Sequence, residues 1–175
     1  MNSGYCLDSD ILISAHRRFY PFDIFPGFWE MIEVNAEKDI VKIPLAVYEE
    51  LLRGSKEDEL KRWVKKHKKI LIVEPDDDIM ERYGEIANFV NDHYEVKYID
   101  EFIKGENADP FVIATAWAKG MTVVTLESVK KENIDKNTGK IKGKIKIPNI
   151  CIHLGVPNIT FTEMLRDIGV KFVLQ

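Results

Sequence analysis

The side chains in this sequence that could do chemistry are carboxylates, and they stand where apolar runs end or helices begin. Asp8 and Asp10 close the run in YCLDSDILIS, Glu49 and Glu50 sit in PLAVYEELLRG, Asp109 opens DPFVIATAWAKG, and Glu127 follows MTVVTL. Brought together, such acids make a pocket of oxygen ligands with no histidine or cysteine among them. That donor set selects hard cations such as Mg²⁺ or Mn²⁺, and those ions serve phosphoryl chemistry. Other chemistries find little support. His16, His67, His93 and His153 show no metal-ligand spacing, and GxSxG, a glycine-rich phosphate loop and CxxC are all missing from the sequence.

Each acid also has a purely structural explanation. Asp109 followed by Pro110 is what the start of an apolar helix requires, with the Asp at the N-cap and the Pro at the first helical position. Asp8 or Asp10 could cap a helix beginning at Ile11. The conjunction weighs against that explanation, because PFVIATAWA is apolar almost all round and is therefore buried, which draws the Asp at its start inward. Close carboxylates repel one another unless a cation neutralises them. Between Glu49 and Glu50 the helical phase does not choose, since the two lie about equally far from the stripe of Val47, Tyr48, Leu51 and Leu52.

The elements that must position these acids alternate. Residues 4–8 read as a buried strand and 9–16 as a helix. RRFYPFDIFPGFW is a packed aromatic loop, more a hydrophobic plug than a base-stacking platform, and it feeds a helix from Pro26 to about Ala36. IVKIP is a strand, and LAVYEELLR a helix ending at Gly54. EDELKRWVKKHKK is a basic helix, ILIVEP a β-rich run, and EPDDDIMERYGEIANFVNDHY a long amphipathic helix with acids at its start. DPFVIATAWAK ends at Gly120, MTVVTLE is a buried strand, and the lysine-rich segment after it a loop or flexible hairpin. KIPNICIHLG is a further strand-to-helix passage, FTEMLRDIG a last helix and VKFVL a last strand. This alternation predicts a parallel sheet covered on both faces, with ligands collecting beyond the carboxyl ends of the strands.

At 175 residues the chain is the size of one domain, 1–175, with a core that needs neither disulfides nor a structural metal. Cys6 and Cys151 each lie in an apolar run and read as small buried hydrophobes. No stretch approaches the roughly 20 apolar residues of a membrane span, and MNSGYCLDSD is not a signal peptide, so a cytoplasmic location is expected. The net charge of −4 argues against a general polyanion binder, but the basic residues cluster at 61–69 and 130–146. Both clusters read first as solvated surfaces. The second begins beside Glu127, which favours Lys140, Lys142 and Lys144, with Lys136 and Lys146, as contacts to a substrate backbone.

With these motifs in view, the chain resembles the PIN-domain nucleases, which include the toxins of many toxin–antitoxin pairs. The matching segments are YCLDSDILI, PLAVYEELLRG, DPFVIATA and VVTLE, in that order. The ending KIPNICIHLGV…FTEMLRDIGVKF looks like an uncharacterised PIN-like subfamily. The resemblance implies a three-layer α/β/α sandwich with a mostly parallel sheet of about five strands, and Mg²⁺- or Mn²⁺-dependent cleavage of RNA. It implies Asp8, Glu50, Asp109 and Glu127 as catalytic acids and, with Asp10, as metal ligands. In that register Glu50, not Glu49, is the second acid. Glu127 stands where aspartate is more usual, and Asp10 where Ser, Thr or Asn is. A protein antitoxin and a second copy of the chain are the partners it implies. The same acids would serve a structure-specific DNA nuclease, and a non-catalytic binding or scaffold module could keep them as a vestige.

Overall fold

A computed structural model describes residues 4–53, 56–103, 107–171 and 173. Its centre is a five-stranded sheet of β1 (Tyr5–Leu7), β2 (Val41–Pro44), β3 (Ile72–Val73), β4 (Thr122–Thr125) and a strand at Asn158–Thr160. That last strand pairs with β4, the order across the sheet is β3, β2, β1, β4 and then it, and every pairing is parallel. In register, Tyr5 faces both Val41 and Thr122, and Val124 faces Ile159.

Consecutive strand residues point to opposite faces, so burial of neighbours shows that both faces are covered. Cys6, Leu7, Val123 and Val124 are all fully buried. The helices around the sheet are α1 (Ser9–Ser14), α2 (Pro26–Glu37), α3 (Leu45–Leu52), α4 (Glu59–Lys66), α5 (Lys68–Leu71), α6 (Asp77–His93), α7 (Val96–Ile103) and α8 (Asp109–Lys119). A small antiparallel pair, β5 (Asn133–Ile134) and β6 (Ile141–Lys142), then precedes α9 (Ile147–Leu154). The strand Asn158–Thr160 is β7, and α10 (Phe161–Asp167) follows it. Helix α8 packs on β1, β2 and β4, with α6 packed in turn on α8. Its buried residues run from Pro110 through Val112 to Ala116, as its apolar composition demands, and Gly120 ends it in the left-handed region at φ 63°.

The aromatic loop is a plug. Tyr20 stacks on Phe28 at 4.4 Å and Phe22 on Trp29 at 3.9 Å, and the Trp29 indole N–H donates to the Tyr20 carbonyl. Phe19 and Ile24 stay exposed. Cys6 and Cys151 are free and buried, and burial pushes both thiols up, which leaves them unreactive.

Four elements differ from expectation. The run ILIVEP yields only the two-residue β3, because Lys68 to Leu71 coil into a helical turn whose Ile70 carbonyl accepts from the Lys42 ammonium at 2.6 Å. Helix α7 and strand β7 are not among the expected elements: α7 is a short amphipathic helix that buries Ile99 and Phe102, and β7 is held by its parallel pairing with β4. The predicted last strand, VKFVL, is not one: Val170, Lys171 and Val173 are irregular, Phe172 and Leu174 lie outside the described residues, and β7 supplies the fifth strand. The expected helix end at Gly54 also lies outside them. No helix among the described residues is long and apolar enough to cross a membrane.

Candidate functional site

A cleft of about 480 Å³ opens beyond the carboxyl ends of β1 and β4, where the order of the sheet reverses. Asp8, Asp10, Glu50, Asp109 and Glu127 all line it. They come from the end of β1, the first turn of α1, the last turn of α3, the start of α8 and the segment after β4. Glu50 is half-buried in the wall, whereas Glu49 is exposed and lies outside this cleft. Ser9, Arg53, Glu101, Asn107 and Lys144 complete the lining.

The capping explanation fails at the two most buried acids. Asp8 occupies the N-cap position of α1 with extended backbone at ψ 152°, yet its carboxylate caps nothing. It turns instead to Thr125, whose hydroxyl donates to Oδ2 at 2.9 Å, while the Asp8 amide donates to the Val124 carbonyl. Asp109 is not the N-cap of α8 as expected. Ala108 is, Asp109 is the first helical residue, and its amide donates to Asn107 Oδ1 at 3.0 Å. Asn107 takes the role assigned to the aspartate, which leaves the Asp109 carboxylate to the cleft.

The electrostatics follow from that placement. Asp8 is 3% exposed, and burial, then the charge of Asp109, then Asp10 and Glu127 push its carboxyl up to about 7 against the Thr125 hydrogen bond. Burial and the charge of Glu127 push Asp109 up to about 6. Burial raises Glu50 as well, opposed by Arg53 and by a hydrogen bond with Ser9. Among the described residues no group of three His, Cys, Asp or Glu side chains is gathered tightly enough to grip a metal ion as they stand. Coordination by these acids therefore requires side chains to rotate toward a common point.

Glu127 is more occupied than the sequence suggested. One oxygen pairs with Lys146 and the other accepts from the Ile147 amide at 2.9 Å, which anchors it to the start of α9. Its own amide donates to Thr125 Oγ1, so Asp8, Thr125 and Glu127 form one connected row.

The lysine segment is a docked hairpin, not a flexible arm. Ile141 bridges to Tyr94 and accepts from the Glu95 amide at 3.1 Å. Lys140 donates to the Asn91 and Asp92 carbonyls at the end of α6, which is where a helix favours a cation. Lys142 pairs with Asp135 and stands 3.8 Å from Glu95. Of the three lysines expected at the substrate, Lys144 lines the cleft, 3.9 Å from Glu101. Sequence reasoning missed Arg53 and Asn107. Arg53 lies three residues past Glu50, the spacing that puts two side chains on one helix face, and Asn107 directly precedes the ADP step.

Fold and site together define an α/β protein with a parallel sheet and an acid-lined cleft at its switch point. The chain belongs to the family described as a domain of unknown function, DUF4411, which matches residues 5–172. No curated protein matches it. Among solved structures it is similar to that of VapBC2 from Rickettsia felis bound to a DNA fragment from their promoter. The two are 20% identical with a TM-score of 0.48, over 70% of this chain and 86% of that one.

Proposed function

We propose that the cleft binds Mg²⁺ or Mn²⁺ and that the protein is a metal-dependent ribonuclease that hydrolyses phosphodiester bonds. The observation that carries this reading is the convergence of five acids from separate segments on one cleft, three of them, Asp8, Glu50 and Asp109, raised by burial and mutual repulsion. Carboxylates held at such cost without capping a helix or pairing with a cation suit a site that a divalent ion neutralises.

Asp8, Glu50 and Asp109 are the residues that would hold the ion, with Asp10 at the rim. Once bound, the ion supplies positive charge that polarises a phosphoryl oxygen and eases ionisation of a water molecule. The chain's own side chains do the rest. Thr125 fixes one oxygen of Asp8, Ser9 steadies Glu50, and Glu127, anchored by Lys146 and Ile147, keeps the Asp8–Thr125 row in place. Arg53 and Lys144 supply the cations of the cleft wall and would meet the flanking phosphates, giving affinity without sequence choice.

The test is cleavage of single-stranded RNA in Mn²⁺, with single-stranded DNA beside it, by wild type and Asp109→Asn. The variant should fold and lose activity, because the carboxylate at 109 makes no capping bond to lose. Unaltered cleavage by a folded Asp109→Asn protein would sink the assignment, and preferential DNA cleavage would change the substrate. The motif resemblance extends the proposal to a toxin held by a protein antitoxin, and a small reading frame directly adjacent to the gene is the observation to seek.

A further inference from the structure

A second, smaller pocket of about 140 Å³ opens on the same edge of the sheet, and the function proposed above leaves it unused. Leu45, Ala46, Val73 and Phe111 form its apolar walls, and Glu49 stands at its rim. The pocket sits at the carboxyl ends of β2 and β3, as the acid cleft sits at those of β1 and β4. In the strand order the centres of the two pairs are two positions apart, or about 10 Å at the usual strand spacing. That separation is within reach of a base attached one nucleotide from a phosphate lying in the acid cleft.

Three properties select the occupant. First, an apolar cavity of roughly 150 Å³ takes one flat six-membered ring. Second, Glu49 is exposed, so its carboxylate is an acceptor at the mouth, next in sequence to the cleft residue Glu50. Third, a carboxylate accepts from the exocyclic amino group of cytosine and repels the O4 carbonyl of uracil or thymine. We propose that this pocket is a base-recognition subsite that seats a cytosine flanking the bond to be cleaved, with Glu49 as the specificity-determining residue. The inference rests on the reading of the acid cleft as a nucleic-acid site. It explains the adjacent glutamates of α3 as a division of labour, Glu50 toward the cleft and Glu49 toward the base.

The experiment measures binding of five-nucleotide RNAs of C, U and A, together with sequencing of the ends produced from a random RNA pool. It uses wild type, Glu49→Gln, whose amide can donate to uracil O4, and Ala46→Leu, which fills the pocket without touching the acid cleft. Wild type should prefer the C oligomer over the U oligomer at least five-fold and show cytosine beside the break. Glu49→Gln should move the preference toward uracil, and Ala46→Leu should flatten it, with the stabilisation by Mn²⁺ retained in both. Absence of a cytosine preference in wild type, or its survival in both variants, overturns the subsite and leaves the metal-dependent nuclease standing. Variant-sensitive cytosine preference without cleavage keeps the subsite and removes the catalytic reading. A wild type that neither binds nor cleaves RNA overturns both.

Discussion

At the scale of single residues, Asp8 is the side chain whose environment and chemistry are most at odds. Its carboxyl is pushed up to about 7 in the folded protein, against an ordinary value of 3.8. A carboxyl raised in this way binds more protons folded than unfolded, so it favours the fold most below the unfolded value. That advantage is lost as pH rises through the folded one. In the metal-free protein Asp8→Asn should therefore raise the stability at pH 8 by an amount on the order of 2–4 kcal/mol, seen as a higher Tm, and the gain should shrink toward zero near pH 4. The Asn carbonyl oxygen can still accept from Thr125, which keeps the comparison clean. Thermal melts across that range decide it, and an equal gain at both ends would mean that the charge is not the cost.

At the scale of elements, the segment from Glu127 to α9 ties the cleft to the rest of the fold. Glu127→Ala removes the partners of a half-buried ammonium and a helix-start amide at once, and each group left unpaired costs about 1–3 kcal/mol when buried. A lowered Tm for Glu127→Ala, with Glu127→Gln in between, is the expected order; an unchanged melt for the alanine variant would remove the anchoring role. The docked hairpin separates its lysines by function. Lys144→Gln should flatten the salt dependence of RNA affinity by roughly 0.7 on a log–log plot, and Lys140→Gln should leave that slope alone, because Lys140 is spent on the end of α6. Equal slopes for the two variants would put the backbone contact elsewhere, with the basic face of α4 next to be tested.

At the scale of the whole molecule, the proposed metal binding would be linked to proton binding and to stability through one cleft. An ion that binds only the folded chain stabilises it by about 2.7 kcal/mol at a hundred times its Kd. Protonated carboxyls do not ligate, so the Tm rise produced by Mn²⁺ should be large at pH 8. It should fade as pH falls through about 7 and 6, the values for Asp8 and Asp109. Calorimetric scans with and without Mn²⁺ at several pH values would show this. A Tm rise that is the same at pH 5 and pH 8, or that survives in Asp109→Asn, would place the ion outside the cleft.

What the sequence determined by itself is the part that repeats locally. Alternating apolar strands and amphipathic helices define a covered parallel sheet, because a strand apolar on both faces must be buried on both. The acids stand out for a similar reason, since a carboxylate beside an apolar run is visible without coordinates. Only the tertiary structure decided what those acids do with their oxygens. Asn107 accepts from the Asp109 amide at the start of α8, Thr125 turns Asp8 from its helix, and Lys146 occupies Glu127, each through a partner separated in sequence or chosen among equivalent neighbours. Nor could helical phase separate Glu49 from Glu50. The strand order did, by setting the acid cleft beside one and the apolar pocket beside the other. Lys140 and Lys142 bind backbone and acids of distant segments for the same reason: a long cation goes to the nearest strong acceptor, and only the folded chain determines which acceptor is near.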